Sequence, residues 1–83
     1  MRKEMVVQIA GGLEARPSAV LVQVASQYES SIYLEADGKR VNAKSIMGMM
    51  TMALKAGEKL TVEAIGADEE AAIEGIEKYI SGR

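Results

Sequence analysis

Ile32-Tyr33-Leu34-Glu35-Ala36-Asp37-Gly38-Lys39-Arg40-Val41-Asn42-Ala43 is the stretch whose reading decides the fold. The arm before Asp37 alternates apolar and polar residues, the period of a strand with one buried face. Asp37-Gly38 is a strong two-residue hairpin signal, because a type I′ turn needs positive φ at both central positions. Such a turn sets Ala36 opposite Lys39, Leu34 opposite Val41 and Ile32 opposite Ala43. The apolar residues then share one face, so turn chemistry and hydrophobic pattern specify the same register.

Immediately after the hairpin comes Asn42-Ala43-Lys44-Ser45-Ile46-Met47-Gly48-Met49-Met50-Thr51. The spacing predicts a short helix from Ser45 to about Ala53. Ser45 stands at its start, where a hydroxyl oxygen can accept a bond from an otherwise unpaired backbone N–H. Gly48, three residues on, cannot supply the reciprocal Glu or Gln of a capping box. Two readings follow: Ser45 simply caps a buried helix, or its hydroxyl stays reachable. A phosphate added there would meet the positive end of the helix dipole. Met47, Met49, Met50 and Met52 place four methionines within six residues. Positions 46, 49, 50 and 53 share one side of a helix and 47, 51 and 54 another, so one short helix cannot bury them all. Methionine fills irregular cores and also recurs on binding surfaces, and both uses account for this run.

Upstream, Met5 to Ala10 reads as a strand with Met5, Val7 and Ile9 on one face and Val6, Gln8 and Ala10 on the other. Gly11-Gly12 breaks it. Glu14 and Arg16 then lie in a tight connection before Pro17, which suits the first turn of a helix. Ala19 to Tyr28 follows as that helix, with Val20, Leu21, Val24, Ala25 and Tyr28 as the core stripe and Ser18, Gln23, Ser26 and Gln27 solvated. Arg16 offers a guanidinium for a phosphate or carboxylate. Lys39, Arg40 and Lys44 read as solubilising charges on the hairpin. Downstream, Leu60 to Ile65 is a strand with Leu60, Val62 and Ala64 inward. Asp68 caps a last helix, Glu69 and Glu70 lie in its dipole-favoured first turn, and Ala72, Ile73, Ile76, Tyr79 and Ile80 form its buried stripe. Gly75 costs about 1 kcal/mol of helix propensity against alanine, which marks close packing.

The element order is therefore βαββαβα in one domain, 1–83. It predicts an α+β open sandwich: a four-stranded antiparallel sheet with three helices on one face. The 83 residues are 48% hydrophobic and 27% charged, a globular composition. A net charge of −2 argues against nucleic acid as a direct partner. No apolar run approaches the length of a membrane span, and Met1-Arg2-Lys3-Glu4 lacks the apolar core of a signal peptide, so a cytoplasmic protein is expected. Histidine and cysteine are both absent. That removes phosphohistidine chemistry, imidazole bases, thiolates and the usual zinc ligands together. The chain has no acid and base at catalytic spacing, so it is expected to be neither an enzyme nor a metal or cofactor binder.

Gly12-Leu13-Glu14-Ala15-Arg16-Pro17, Leu34-Glu35-Ala36-Asp37-Gly38-Lys39 and Val41-Asn42-Ala43-Lys44-Ser45-Ile46-Met47-Gly48 together resemble the HPr family of the bacterial sugar phosphotransferase system. The resemblance runs nearly the whole length and implies the HPr-like open-faced β-sandwich. The family's phosphocarrier histidine falls at position 14, where this chain has Glu14. The chain is more similar to the catabolite-repression branch, which also lacks the histidine but keeps a regulatory serine, here Ser45. That branch usually has glutamine at position 14, so Glu14 adds a charge. The methionine run is also richer than the family norm.

The resemblance implies that HPr kinase/phosphorylase modifies Ser45 with ATP or pyrophosphate. The phosphorylated chain would then bind catabolite control protein A, a LacI-type repressor, as corepressor. The implied contact surface is Glu14, Arg16, Ile46, Met47 and Met50 beside Ser45. Two other readings stay open: a module that regulates a metabolic enzyme without phosphate, and an HPr phosphocarrier inactivated at its histidine position. Apolar Val6 and Ala10 on the outer face of the first strand, with Gly11-Gly12 as a flexible hinge, also allow strand exchange between two chains as a route to a dimer.

Overall fold

The computed structural model describes residues 1–9, 12, 15–52 and 54–82, and of residue 15 the backbone alone. The elements in order are β1 (Arg2–Val6), α1 (Ala15–Ser26), β2 (Ser31–Ala36), β3 (Lys39–Asn42), α2 (Ile46–Met50), β4 (Lys59–Ile65) and α3 (Glu69–Ile80). The four strands form one antiparallel sheet in the order β1-β4-β2-β3. The hairpin has the expected register, with Leu34 opposite Val41 and Ala36 opposite Lys39. Asp37 and Gly38 take φ of 51° and 75°, as a type I′ turn requires.

Alternation divides the sheet into two faces. Met5, Ile32, Leu34, Leu60, Val62 and Ala64 are buried on one face with Leu21 and Ala25 of α1, Met49 of α2 and Ile73, Ile76 and Ile80 of α3. The other face is open and carries Arg2, Glu35, Arg40 and Glu63. Arg2 pairs with Glu35 at 3.0 Å and Glu63 at 3.4 Å, and Arg40 pairs with Glu63 at 2.6 Å and also with Glu35. The guanidinium of Arg40 lies 4.2 Å from the centroid of the Tyr33 ring. Arg40 is thus part of a cross-strand ion lattice and not the merely solubilising charge expected. The lattice holds both carboxyls below the usual carboxylate range, Glu35 chiefly through its bond from Arg2 and Glu63 chiefly through its bond from Arg40.

Three boundaries differ from expectation. β1 spans Arg2–Val6 and not Met5 to Ala10: beyond Val6 the backbone leaves the ladder, the Val7 N–H donating to the Glu58 carbonyl and the Gln8 N–H to that of Ile80. Met5 and Val7 are nevertheless buried and Val6 is exposed, as the alternation requires; Ala10 lies outside the described residues. α1 begins at Ala15, so Pro17 sits inside its first turn, where a missing N–H costs nothing. It ends at Ser26, and tighter bonds from Gln27 to Val24 and from Tyr28 to Ala25 close the chain into β2. Two facings also differ from expectation: the buried side of α1 runs through Ser18, Leu21 and Ala25, spaced three and four residues apart, which turns Val20 outward. α2 stops at Met50, because the Thr51 N–H and hydroxyl both bond the Gly48 carbonyl and end the helix; Ala53 lies outside the described residues.

Two glycines are fixed by contact. Gly12 has φ of 74°, and a Cβ there would stand 2.3 Å from the Leu54 carbonyl oxygen. Its N–H donates to the Ile9 carbonyl at 2.8 Å, so Gly12 is a close-packed backbone position and not the flexible hinge expected; Gly11 lies outside the described residues. A Cβ on Gly75 would stand 2.1 Å from the Tyr28 hydroxyl oxygen, which accounts for glycine in the middle of α3.

Candidate functional site

The site begins with the chain leaving β3. Asn42 Oδ1 accepts from the Lys44 N–H at 2.8 Å, a local turn that asparagine forms readily. The Ser45 N–H donates to the Asn42 carbonyl at 3.0 Å. Ser45 is then extended, with φ −106° and ψ 112°, and its Oγ accepts from the Gly48 N–H at 3.3 Å. This is the expected N-cap. The bond lies at the long end of the N–H···O range, so it holds the hydroxyl loosely. The residue is half-buried.

α2 divides its methionines by face. Met49 is 0% exposed and Met52, just beyond the helix, 3% exposed; Met47 is 79% and Met50 60% exposed. The core therefore takes 49 and 52, while Ile46, Met47 and Met50 form an apolar surface next to Ser45. This corrects the expected facing, in which Met49 and Met50 shared a side. Met49 and Met52 are three residues apart and point at the sheet together, which leaves Met50 outward.

α1 packs directly against α2. Arg16 is exposed in its first turn, and Val20, four residues on and on the same face, is 37% exposed. Val20 was missed as a surface residue; the signal was its spacing from Arg16. The Lys44 ammonium donates to the Tyr28 carbonyl at 2.6 Å, tying the segment before Ser45 to the connection just past α1. Lys44 is thus a brace between elements and not the solubilising charge expected. Glu14 lies outside the described residues, so Arg16, Ser45, Ile46, Met47 and Met50 are the expected site residues the structure places.

Asp68 is the other departure. It precedes α3 as expected but makes no side-chain cap bond. Its carboxylate accepts instead from the Ser30 hydroxyl and from the N–H groups of Glu29 and Ser30, both at 2.9 Å. Those bonds, the Ser30 hydroxyl foremost, hold its carboxyl below the usual range. Asp68 so anchors the α1–β2 connection to α3, away from α2. Among the described residues no group of three or more His, Cys, Asp or Glu could hold a metal, and no helix is long and apolar enough to cross a membrane.

Comparison with known proteins agrees with this architecture. A family model described as the PTS HPr component phosphorylation site matches residues 1–82. The HPr-like protein Crh of Bacillus subtilis (strain 168) is 44% identical over 80 residues, which cover 96% of this chain and 94% of that protein. Among solved structures, the phosphocarrier protein HPr of Bacillus anthracis str. Ames aligns with a TM-score of 0.92 at 42% identity, covering 96% of this chain and 95% of that one. A selenomethionyl Crh of Bacillus subtilis, described as a swapped, intertwined dimer, aligns with a TM-score of 0.77 at 47% identity, covering 89% of this chain and 85% of that one. On the family model, on these identities and on the four-stranded open sheet with its three helices, the chain belongs to the HPr family and is similar within it to the HPr-like proteins called Crh.

Proposed function

We propose that the protein is a phosphoserine-switched regulatory module of carbon catabolite repression, modified on Ser45 by HPr kinase/phosphorylase and then acting as corepressor of catabolite control protein A. The observation that carries this reading is the juxtaposition at α2: a loosely held Ser45 hydroxyl beside exposed Ile46, Met47 and Met50. A phosphate there adds about −1.5 to −2 charge and several acceptors to the rim of an apolar patch. The partner surface it suits is one with an arginine or lysine next to an apolar hollow. Arg16, exposed on the neighbouring helix, supplies the opposite charge for an acidic group of the same partner.

A phosphocarrier role is disfavoured by the chain's own composition. It has no histidine, and an acyl phosphate on Glu14 would lack the nucleophilic imidazole on which carrier chemistry rests. The role is therefore regulation by binding, not turnover. A second reading has its own support, because the apolar patch is exposed before any phosphate is added: the unmodified protein docks on a metabolic enzyme. Assembly as a homodimer by exchange of β1 fits the swapped dimer described for the similar Crh of Bacillus subtilis. Exchange would have to release the bonds of Val7 to Glu58 and Gln8 to Ile80 and re-form them in the partner.

The test is incubation with HPr kinase/phosphorylase and ATP, followed by mapping of the label. Phosphate on Ser45 alone is expected. Label on another residue, or none, overturns the reading. A pull-down with the unphosphorylated protein separates the second reading, which requires retention of a metabolic enzyme without phosphate.

A further inference from the structure

The methionines of the α2 region are divided more sharply than docking alone requires. Met49 and Met52 are sealed in the core, at 0% and 3% exposed, while Met47 and Met50 stand in solvent at 79% and 60%. The two exposed thioethers are three residues apart on one helix, which makes them neighbours about 5–6 Å apart at Cβ. The chain has no cysteine, so no thiol within it competes for an oxidant. Methionine is flexible and apolar; its sulfoxide is polar and chiral, and that change disrupts methionine-rich interfaces.

We infer that Met47 and Met50 form a paired oxidation site through which a hydroperoxide regulates the α2 surface. The inference rests on the docking reading given above and adds a second input to it. In the step, a lone pair on the thioether sulfur attacks the peroxide's terminal oxygen. An S–O bond forms, the O–O bond breaks, and the proton of the transferred hydroxyl passes to the departing oxygen, which leaves as water or alcohol. The sulfur is oxidised by two electrons and the peroxide reduced by two. Reduction by methionine sulfoxide reductases reverses it. Ser45 phosphorylation adds charge at the start of α2 and recruits a partner; oxidation of Met47 and Met50 makes the adjoining contact polar and releases it. Burial spares Met49 and Met52, so the switch operates on the folded domain. Met1, also exposed, precedes β1 at the sheet edge opposite β3, so its oxidation leaves this surface unchanged.

The test exposes the Ser45-phosphorylated full chain to graded hydrogen peroxide. Three quantities are read: sulfoxide at each methionine by peptide mass spectrometry, retention on a hydrophobic-interaction column, and affinity for catabolite control protein A. Sulfoxide is expected at Met47 and Met50 at least roughly tenfold faster than at Met49 and Met52, with earlier elution and roughly tenfold weaker binding, both reversed by methionine sulfoxide reductase. The Met47→Leu/Met50→Leu chain, whatever its starting affinity, is expected to bind equally before and after peroxide. Oxidation of Met49 or Met52 as fast as Met47 overturns the site, and unchanged elution of the doubly oxidised chain overturns its effect on the surface. Failure of the unoxidised phosphoprotein to bind the repressor would instead sink the corepressor reading, while mapping and elution still decide the oxidation site.

Discussion

Replacing Gly75 with alanine sets two known effects against each other. Alanine in a helix interior is favoured over glycine by about 0.8–1.0 kcal/mol, so on an open helix face Gly75→Ala would stabilise. Here the new Cβ would stand 2.1 Å from the Tyr28 hydroxyl oxygen, 2.9 Å from Cζ and 3.1 Å from Cε2. Ordinary carbon contacts begin near 3.5 Å, so the ring must move by more than about 1 Å. Tyr28 is half-buried against the core and follows directly on the bonds that close α1 into β2, which limits its retreat. Overpacking of this kind costs about 1–3 kcal/mol, so the net effect is destabilisation by about 1 kcal/mol. The effect must vanish when the ring does. In a Tyr28→Leu background, Gly75→Ala should stabilise by several tenths of a kcal/mol, giving a coupling of about 1–3 kcal/mol between the sites. Urea unfolding of the four proteins measures it. Equal effects of Gly75→Ala in both backgrounds would refute the packing argument and leave the glycine unexplained.

Other outcomes follow from the same structure. Met49→Ala should cost about 2–5 kcal/mol of unfolding free energy because it empties a sealed core position, while Met47→Ala stays within about 0.5 kcal/mol; comparable losses in urea melts would contradict the division of α2. Asp68 has a lowered carboxyl pKa, so its contribution is fully present above the unfolded value of about 3.9 and is lost as pH falls through the folded one. The stability gap between the native chain and Asp68→Asn should therefore hold from pH 7 to about 5 and narrow toward pH 3; a gap that widens on acidification would reverse the sign of the argument. Glu14→Gln removes a carboxylate from the contact residues that the family resemblance implies, and should strengthen repressor binding of the phosphoprotein by roughly 1 kcal/mol or less. That gain should shrink with salt, as the screening length falls from about 10 Å at 0.1 M to about 3 Å at 1 M.

Legibility in the sequence followed the physics of each segment. The Asp37-Gly38 hairpin was read to the residue, because turn chemistry and alternation constrain it independently. The inward set of β4 and the stripe of α3 were legible because each repeats a period with one buried face, although Tyr79 of that stripe is only half-buried. The start of α1 was not, since Pro17 marks a first turn without saying how many residues precede it. Which methionines of α2 face inward was also beyond reach: five residues are too few to define a stripe, and the sheet beneath decides. Asp68 looked like a cap because its position is a cap position. Its true partners, Glu29 and Ser30, are nearly forty residues away in sequence, and no local pattern reports them. Arg40 and Lys44 were hidden likewise, since their partners on other strands and in the α1–β2 connection appear only once the layers are assembled. Of the site, Ser45 was visible as a cap lacking its reciprocal partner, and Val20 was not recognised as surface.

In the proposed function, phosphate on Ser45 creates the docking surface. A calorimetric titration of catabolite control protein A with three forms tests it most directly: the Ser45-phosphorylated chain, the unmodified chain, and kinase-treated Ser45→Ala. Binding by the phosphorylated form is expected, with at least roughly a hundredfold weaker binding by the other two and loss of that difference at high salt. Equal affinity of all three forms, or binding by none, would contradict it.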